Sequence, residues 1–96
     1  MHVVDGVEWS HSGDNPPCEY WKVIYSPNGR VRIWIDVKAR VSKGIANYNS
    51  WQVRLYIDNK MGFSELLDGS IDDVLRKVGP MLRRYMEEWI KPCLTQ

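Results

Sequence analysis

The sequence predicts a two-layer α+β fold: a three- to four-stranded antiparallel β-meander packed on one long, kinked C-terminal helix. Three observations predict it. Odd positions from Val31 to Val37 are aliphatic, while the even positions carry Arg32, Trp34, Asp36 and Lys38, and the stretch Trp51 to Asp58 repeats that parity. Successive strand side chains point to opposite faces, so both stretches read as strands with one apolar and one polar side. The segment Ser26-Pro27-Asn28-Gly29 is a hairpin turn signal, and apolar residues between Ile71 and Ile90 recur at helical spacing.

Residues 1–19 form an N-terminal strand and loop segment. A first short strand over 3–9 is interrupted by Asp5-Gly6, and residues 10–19 are dense in Ser, Gly, Asp, Asn and Pro, the residues of loops. The antiparallel strands occupy residues 20–58. Strand character resumes at Tyr20-Trp21-Lys22-Val23-Ile24-Tyr25. In the turn that follows, Pro27 pre-sets φ for the first corner, Asn28 tolerates the second, and Gly29 accepts a left-handed residue. A three-residue loop sets Ser26 opposite Arg30, and hence Val23 opposite Ile33 and Trp21 opposite Ile35. Lys22 then faces Trp34 and Tyr20 faces Asp36 on the other side of the sheet.

Residues 41–50 join the next two strands, through a tight turn at Ser42-Lys43-Gly44 or a looser loop. After Asp58 the run Asn59-Lys60-Met61-Gly62-Phe63 is expected to leave the sheet. Ser70, with Asp73 three residues on, has the form of a capping box and opens a helix over 70–91. Its stripe is Ile71, Val74, Leu75, Val78, Leu82, Tyr85, Met86, Trp89 and Ile90. Because that stripe keeps phase across Gly79-Pro80, one kinked helix is expected rather than two. On its polar side Asp72 with Arg76, Asp73 with Lys77, Arg83 with Glu87 and Arg84 with Glu88 stand four apart, the spacing of locally compensated pairs.

The chain has 96 residues, 44% hydrophobic and 26% charged, which predicts one folded domain over 1–96 and excludes a disordered chain. A formal net charge of +1 gives no overall pull toward nucleic acid or membrane, so any electrostatic function must lie in the distribution of charge. Five Trp and five Tyr against one Phe favour half-wet positions, where a ring packs and its polar end meets a partner. The N-terminus lacks the form of a signal peptide and no apolar run is long enough to span a bilayer, so a cytoplasmic location without membrane contact is expected. Cys18 and Cys93 are then expected as free thiols.

The outward, even-numbered face is where function is expected. Lys22, Arg30, Arg32, Lys38, Arg40 and Arg54 against Asp36 and Asp58 leave +4 on this face and −3 on the rest of the chain. Tyr20, Trp34 and Tyr56 are interleaved among them. Cations that neutralise phosphate beside rings that stack on bases are the chemistry of single-strand binders. The expected site is therefore Tyr20, Lys22, Arg32, Trp34, Lys38, Arg54 and Tyr56, in a non-enzymatic module for single-stranded or structured nucleic acid. The same face would also serve a protein partner or self-association, because Trp, Tyr and Arg dominate interface hot spots. The apolar end of the helix and an unpaired strand edge are further places for association. On the opposite expectation, folding of residues 1–19 across Trp34 and Tyr56 would cover the face.

Catalysis has weaker support. Asp36-Val37-Lys38, with Asp14 as a second acid, has the elements of a metal-dependent nuclease site. Asp58-Asn59-Lys60 shows the same spacing, which makes the pattern unspecific. His2, His11, Cys18 and Cys93 match no zinc-ligand spacing, no nucleophile stands beside a base in a motif, and no glycine-rich phosphate loop occurs. No catalytic residue, metal or cofactor is expected.

Overall fold

The computed structural model describes residues 1–26 and 29–85. Its elements are β1 (His2–Val4), β2 (Val7–His11), β3 (Glu19–Tyr25), β4 (Arg32–Ser42), β5 (Ile45–Ile57), β6 (Lys60–Asp68) and α1 (Ile71–Tyr85). The strands form one six-stranded antiparallel sheet in which each pairs with its sequence neighbours, in the order β1 to β6. The protein is therefore mostly β. This corrects the expected three- to four-stranded meander beneath a long helix: the sheet has six strands, and the helix described has 15 residues. Residues 86–91 of the predicted helix, with Met86, Trp89 and Ile90 of its stripe, lie outside the described residues. So do Cys93 and the turn residues Pro27 and Asn28.

Two-residue turns account for the extra strands. Asp5-Gly6 closes the β1–β2 hairpin, Lys43-Gly44 closes β4–β5, and Asp58-Asn59 closes β5–β6, with positive φ at all six residues. Such turns match the right-handed twist of their strands and require left-handed backbone at both corners, which Gly, Asn and Asp accept most readily. Asp5-Gly6 is thus a hairpin turn, and Asp58-Asn59 returns the chain to the sheet as β6. The period of β6 is blurred by a register shift opposite Leu55/Tyr56, where Gly62 is the additional residue. A Cβ at Gly62 would lie 2.7 Å from the Tyr85 hydroxyl and 3.1 Å from a Leu55 methyl, so the bulge also makes room for the end of α1.

One face of the sheet carries the core. Ile33, Ile35, Val37, Val53 and Leu55 are nearly fully buried there, with Trp9 and Trp51, against Val74, Leu75 and Val78 of α1. Ser70 caps the helix through its hydroxyl, which accepts the Asp73 amide at 3.3 Å. Pro80 lies inside the helix, and Asp72 and Asp73 near its start and Arg83 and Arg84 near its end complement the helix dipole. The expected Asp72–Arg76 pairing gives way to contacts of both residues with the N-terminal hairpin. Asp72 binds His2 at 2.6 Å, and Arg76 lies 3.4 Å from both Asp5 and Asp73. The pairs involving Glu87 and Glu88 lie outside the described residues.

Candidate functional site

The β3–β4 connection decides which side chains reach the outer face. Ser26 is 4% exposed, and its hydroxyl accepts the Val31 amide at 3.1 Å, while its own amide donates to the Val31 carbonyl at 2.9 Å. Ser26 therefore faces Val31, not Arg30, and the loop is one residue longer than expected. The pairs become Tyr25 with Arg32, Val23 with Trp34, Trp21 with Asp36 and Glu19 with Lys38. A slip of one residue turns every side chain of a strand to the other face. The outer face of β3 is thus Glu19, Trp21, Val23 and Tyr25.

Two expected site residues leave the site for this reason. Tyr20 is 4% exposed in the core, edge-on to Trp51 with ring centroids 5.8 Å apart. Lys22 lies opposite Ile35 on the helix side, where its ammonium donates to the Glu8 carbonyl at 3.0 Å. Lys22 is accordingly not the partner of Trp34. The remaining five, Arg32, Trp34, Lys38, Arg54 and Tyr56, do share the outer face. Trp34 and Tyr56 are direct cross-strand neighbours, with Val23 on one side and Met61 on the other. In the next row Trp21, Asp36, Arg54 and Ser64 lie side by side, and beyond it Glu19, Lys38, Gln52 and Leu66.

Polar contacts engage two of the cations in this grid, Arg32 and Arg54. The Arg32 guanidinium lies 5.5 Å from the Trp34 ring centroid, within cation–π range, and donates to the Asn59 side-chain oxygen at 3.3 Å. Its backbone amide donates to Asp58 Oδ1 at 3.0 Å, tying β4 to the β5–β6 turn. Arg54 donates to Gln52 Oε1 at 2.9 Å, and Gln52 in turn donates to the Ser64 hydroxyl at 3.0 Å. A depression of about 470 Å³ lies over this region, lined by Glu19, Arg32, Trp34, Asp36, Tyr56 and Asn59. Residues 1–11 do not cover it. They extend the sheet beyond β3, and β1 packs against α1 on the opposite side.

Asp36 is the unusual member. Burial, then the neighbouring Glu19 carboxylate, raise its pKa from the ordinary 3.8 to about 6, against the opposing pull of Arg54 and Lys38. Its Oδ1 is buried without a hydrogen-bond partner, and it joins no ion pair among the described residues. Because protonation is easier in the folded state, folding carries no penalty from Asp36 below about pH 4. The penalty grows between pH 4 and 6 and is complete above that window. Asp36→Asn is expected to stabilise the fold at pH 7 by about 1 kcal/mol, after allowance for solvent screening. Urea unfolding of both proteins at pH 4 and pH 7 checks this, since the gain should vanish at the lower pH.

The other sequence candidates do not assemble. Asp14 accepts from the Cys18 thiol at 3.2 Å, and the acid beside Asp36 is Glu19. His2 is engaged with Asp72, and His11 lies 2.8 Å from the Ser12 carbonyl oxygen. Among the described residues no three His, Cys, Asp or Glu side chains are grouped to hold a metal, and no helix is long and apolar enough to cross a membrane. Glu19, Trp21, Tyr25 and Asn59 were missed from sequence. The first three follow from the register that Ser26 sets, and Asn59 follows from the turn. Comparisons with protein-family models, curated proteins and solved structures returned no match.

Proposed function

We propose that this chain is a non-enzymatic binding module whose outer sheet face holds single-stranded nucleic acid. The observation that carries the reading is the Trp34–Tyr56 pair, two rings on facing positions of the central strands, with Arg32, Lys38 and Arg54 around them. An exposed strand face with adjacent rings offers stacking surfaces at strand spacing, each base stack being worth about 1–3 kcal/mol. Arg40 lies near Lys38 and Arg54 at the margin of the same face, which makes four cations available to phosphate. Trp21 and Tyr25 replace Tyr20 as the further aromatic residues of the platform.

Tryptophan fluorescence should be quenched when a short oligo(dT) strand is added at low salt. With four phosphates neutralised, each releasing about 0.7 ions, a fourfold rise in salt should weaken binding roughly fifty-fold. Absence of quenching at low salt would overturn the proposal. A second reading, self-association through the same face, is favoured by the exposure of Tyr25, Met61 and Leu66 on it, at 62%, 56% and 54%. Sedimentation would separate the two, because self-association gives a mass that rises with protein concentration in the absence of nucleic acid.

A further inference from the structure

The outer face contains a feature that phosphate binding does not require and electrostatically opposes. Asp36 lies in its middle, buried enough to disfavour its charged form and beside a second carboxylate, Glu19. Arg54 is directly across the strand pair, yet its guanidinium is turned to Gln52. The Asp36 side chain lines the same depression as Trp34 and Tyr56, beside Glu19, and its Oδ1 is buried beneath that surface without a hydrogen-bond partner. A buried acceptor left without a donor costs about 1–3 kcal/mol, so a ligand whose binding turns that oxygen outward and supplies the donor recovers the cost.

Trp34 and Asp36 are two residues apart on one strand face, roughly 7 Å along the strand. A base stacked on the Trp34 ring lies within reach of Asp36 in the same depression, and rotation about χ2 turns the buried oxygen toward it. An ionised carboxylate accepts and does not donate. Guanine offers it two adjacent donors, N1–H and the N2 amino group. Uracil and thymine offer one N–H between two repelling carbonyl oxygens, while adenine and cytosine offer an amino group beside a ring-nitrogen acceptor. We infer that the Trp34–Asp36 cleft selects guanine within a single strand, with Asp36 receiving the Watson–Crick edge of the stacked base. This inference rests on the nucleic-acid reading of the same face.

The test is a fluorescence titration with oligo(dT), with the same strand carrying one central dG, and with inosine in place of that dG. Wild-type protein is expected to bind the dG strand about tenfold more tightly than oligo(dT), since a bidentate pair discriminates by about 1–3 kcal/mol. Inosine, which lacks the amino group, should fall between them. Asp36→Asn should remove the preference while binding oligo(dT) at least as tightly as wild type, because a negative charge has left the face. Acidification below about pH 6 should have the same two effects, as Asp36 protonates among Glu19, Lys38 and Arg54, the charged groups that face it. Equal binding of the dG and oligo(dT) strands by wild type would overturn the inference and leave the nucleic-acid reading intact. A preference lost in Glu19→Gln but kept in Asp36→Asn would overturn the assignment to Asp36. If no strand binds, the nucleic-acid reading fails and the inference fails with it.

Discussion

Truncation of Trp51 to Ala is expected to cost about 3–5 kcal/mol of folding stability, the range for loss of a large buried aromatic. Trp51 is 1% exposed and is the largest fully buried side chain of the core. Its ring meets Tyr20 edge-on at 5.8 Å, and it lies beside Ala39 of β4 and Leu67 of β6. Its indole N–H donates to the Tyr48 carbonyl at 3.2 Å, so the substitution removes a hydrogen bond as well as packing. Three neighbouring strands would line the resulting hole, and paired strands collapse into a void less readily than loops. Urea unfolding measures the loss, and a change below about 1 kcal/mol would show that Trp51 does not organise the core.

The second large effect is on binding. The double substitution Trp34→Ala, Tyr56→Ala removes both central stacking surfaces and is expected to weaken oligonucleotide binding by about 2–6 kcal/mol, at least thirty-fold. Fluorescence anisotropy of a labelled strand checks this without relying on the removed tryptophan. Both rings lie on the solvent side of the sheet, so the fold should survive, as circular dichroism can verify. The salt dependence should remain that of the wild type, because every cation is still present. In Arg32→Ala, Arg54→Ala the slope itself should fall, by about 0.7 for each phosphate that no longer meets a cation. Unchanged affinity in the aromatic double variant would rule out stacking as the mode of binding.

How much of this was legible in the sequence depended on whether a pattern had one physical solution. In β4 and β5, one face is aliphatic and the other charged, so only one orientation buries the apolar set, and the placement of Arg32, Trp34, Lys38, Arg54 and Tyr56 on the outer face could be read directly. In β3 both faces are apolar enough to be buried: Tyr20 and Ile24 on one side, Trp21, Val23 and Tyr25 on the other. Alternation cannot choose between them, and the observed register is the one in which Ser26 bonds Val31 across the turn through both its amide and its hydroxyl. The register that the Ser26–Val31 pair sets places Tyr20 and Lys22 on the helix side and Glu19, Trp21 and Tyr25 on the outer face. The β6 strand was hidden for another reason, since its bulge breaks the period of two and an edge strand has little burial to enforce one. The cap at Ser70 was legible because it depends on residues three apart in the chain.

A sheet in which every strand touches only its sequence neighbours behaves mechanically like a folded ribbon. Its pairings are local and quick to form, but by themselves they would let it peel from either end, one hairpin at a time. The contacts of Asp72 with His2 and of Arg76 with Asp5 span 70 and 71 residues of chain and join the last described element to the first. They act as a clasp. With α1 joined to the β1–β2 hairpin, loss of that hairpin also costs the helix these contacts, which couples the two ends of the ribbon. The outer face lies on the other side of the sheet from this clasp, so a change in its side chains leaves the clasp in place.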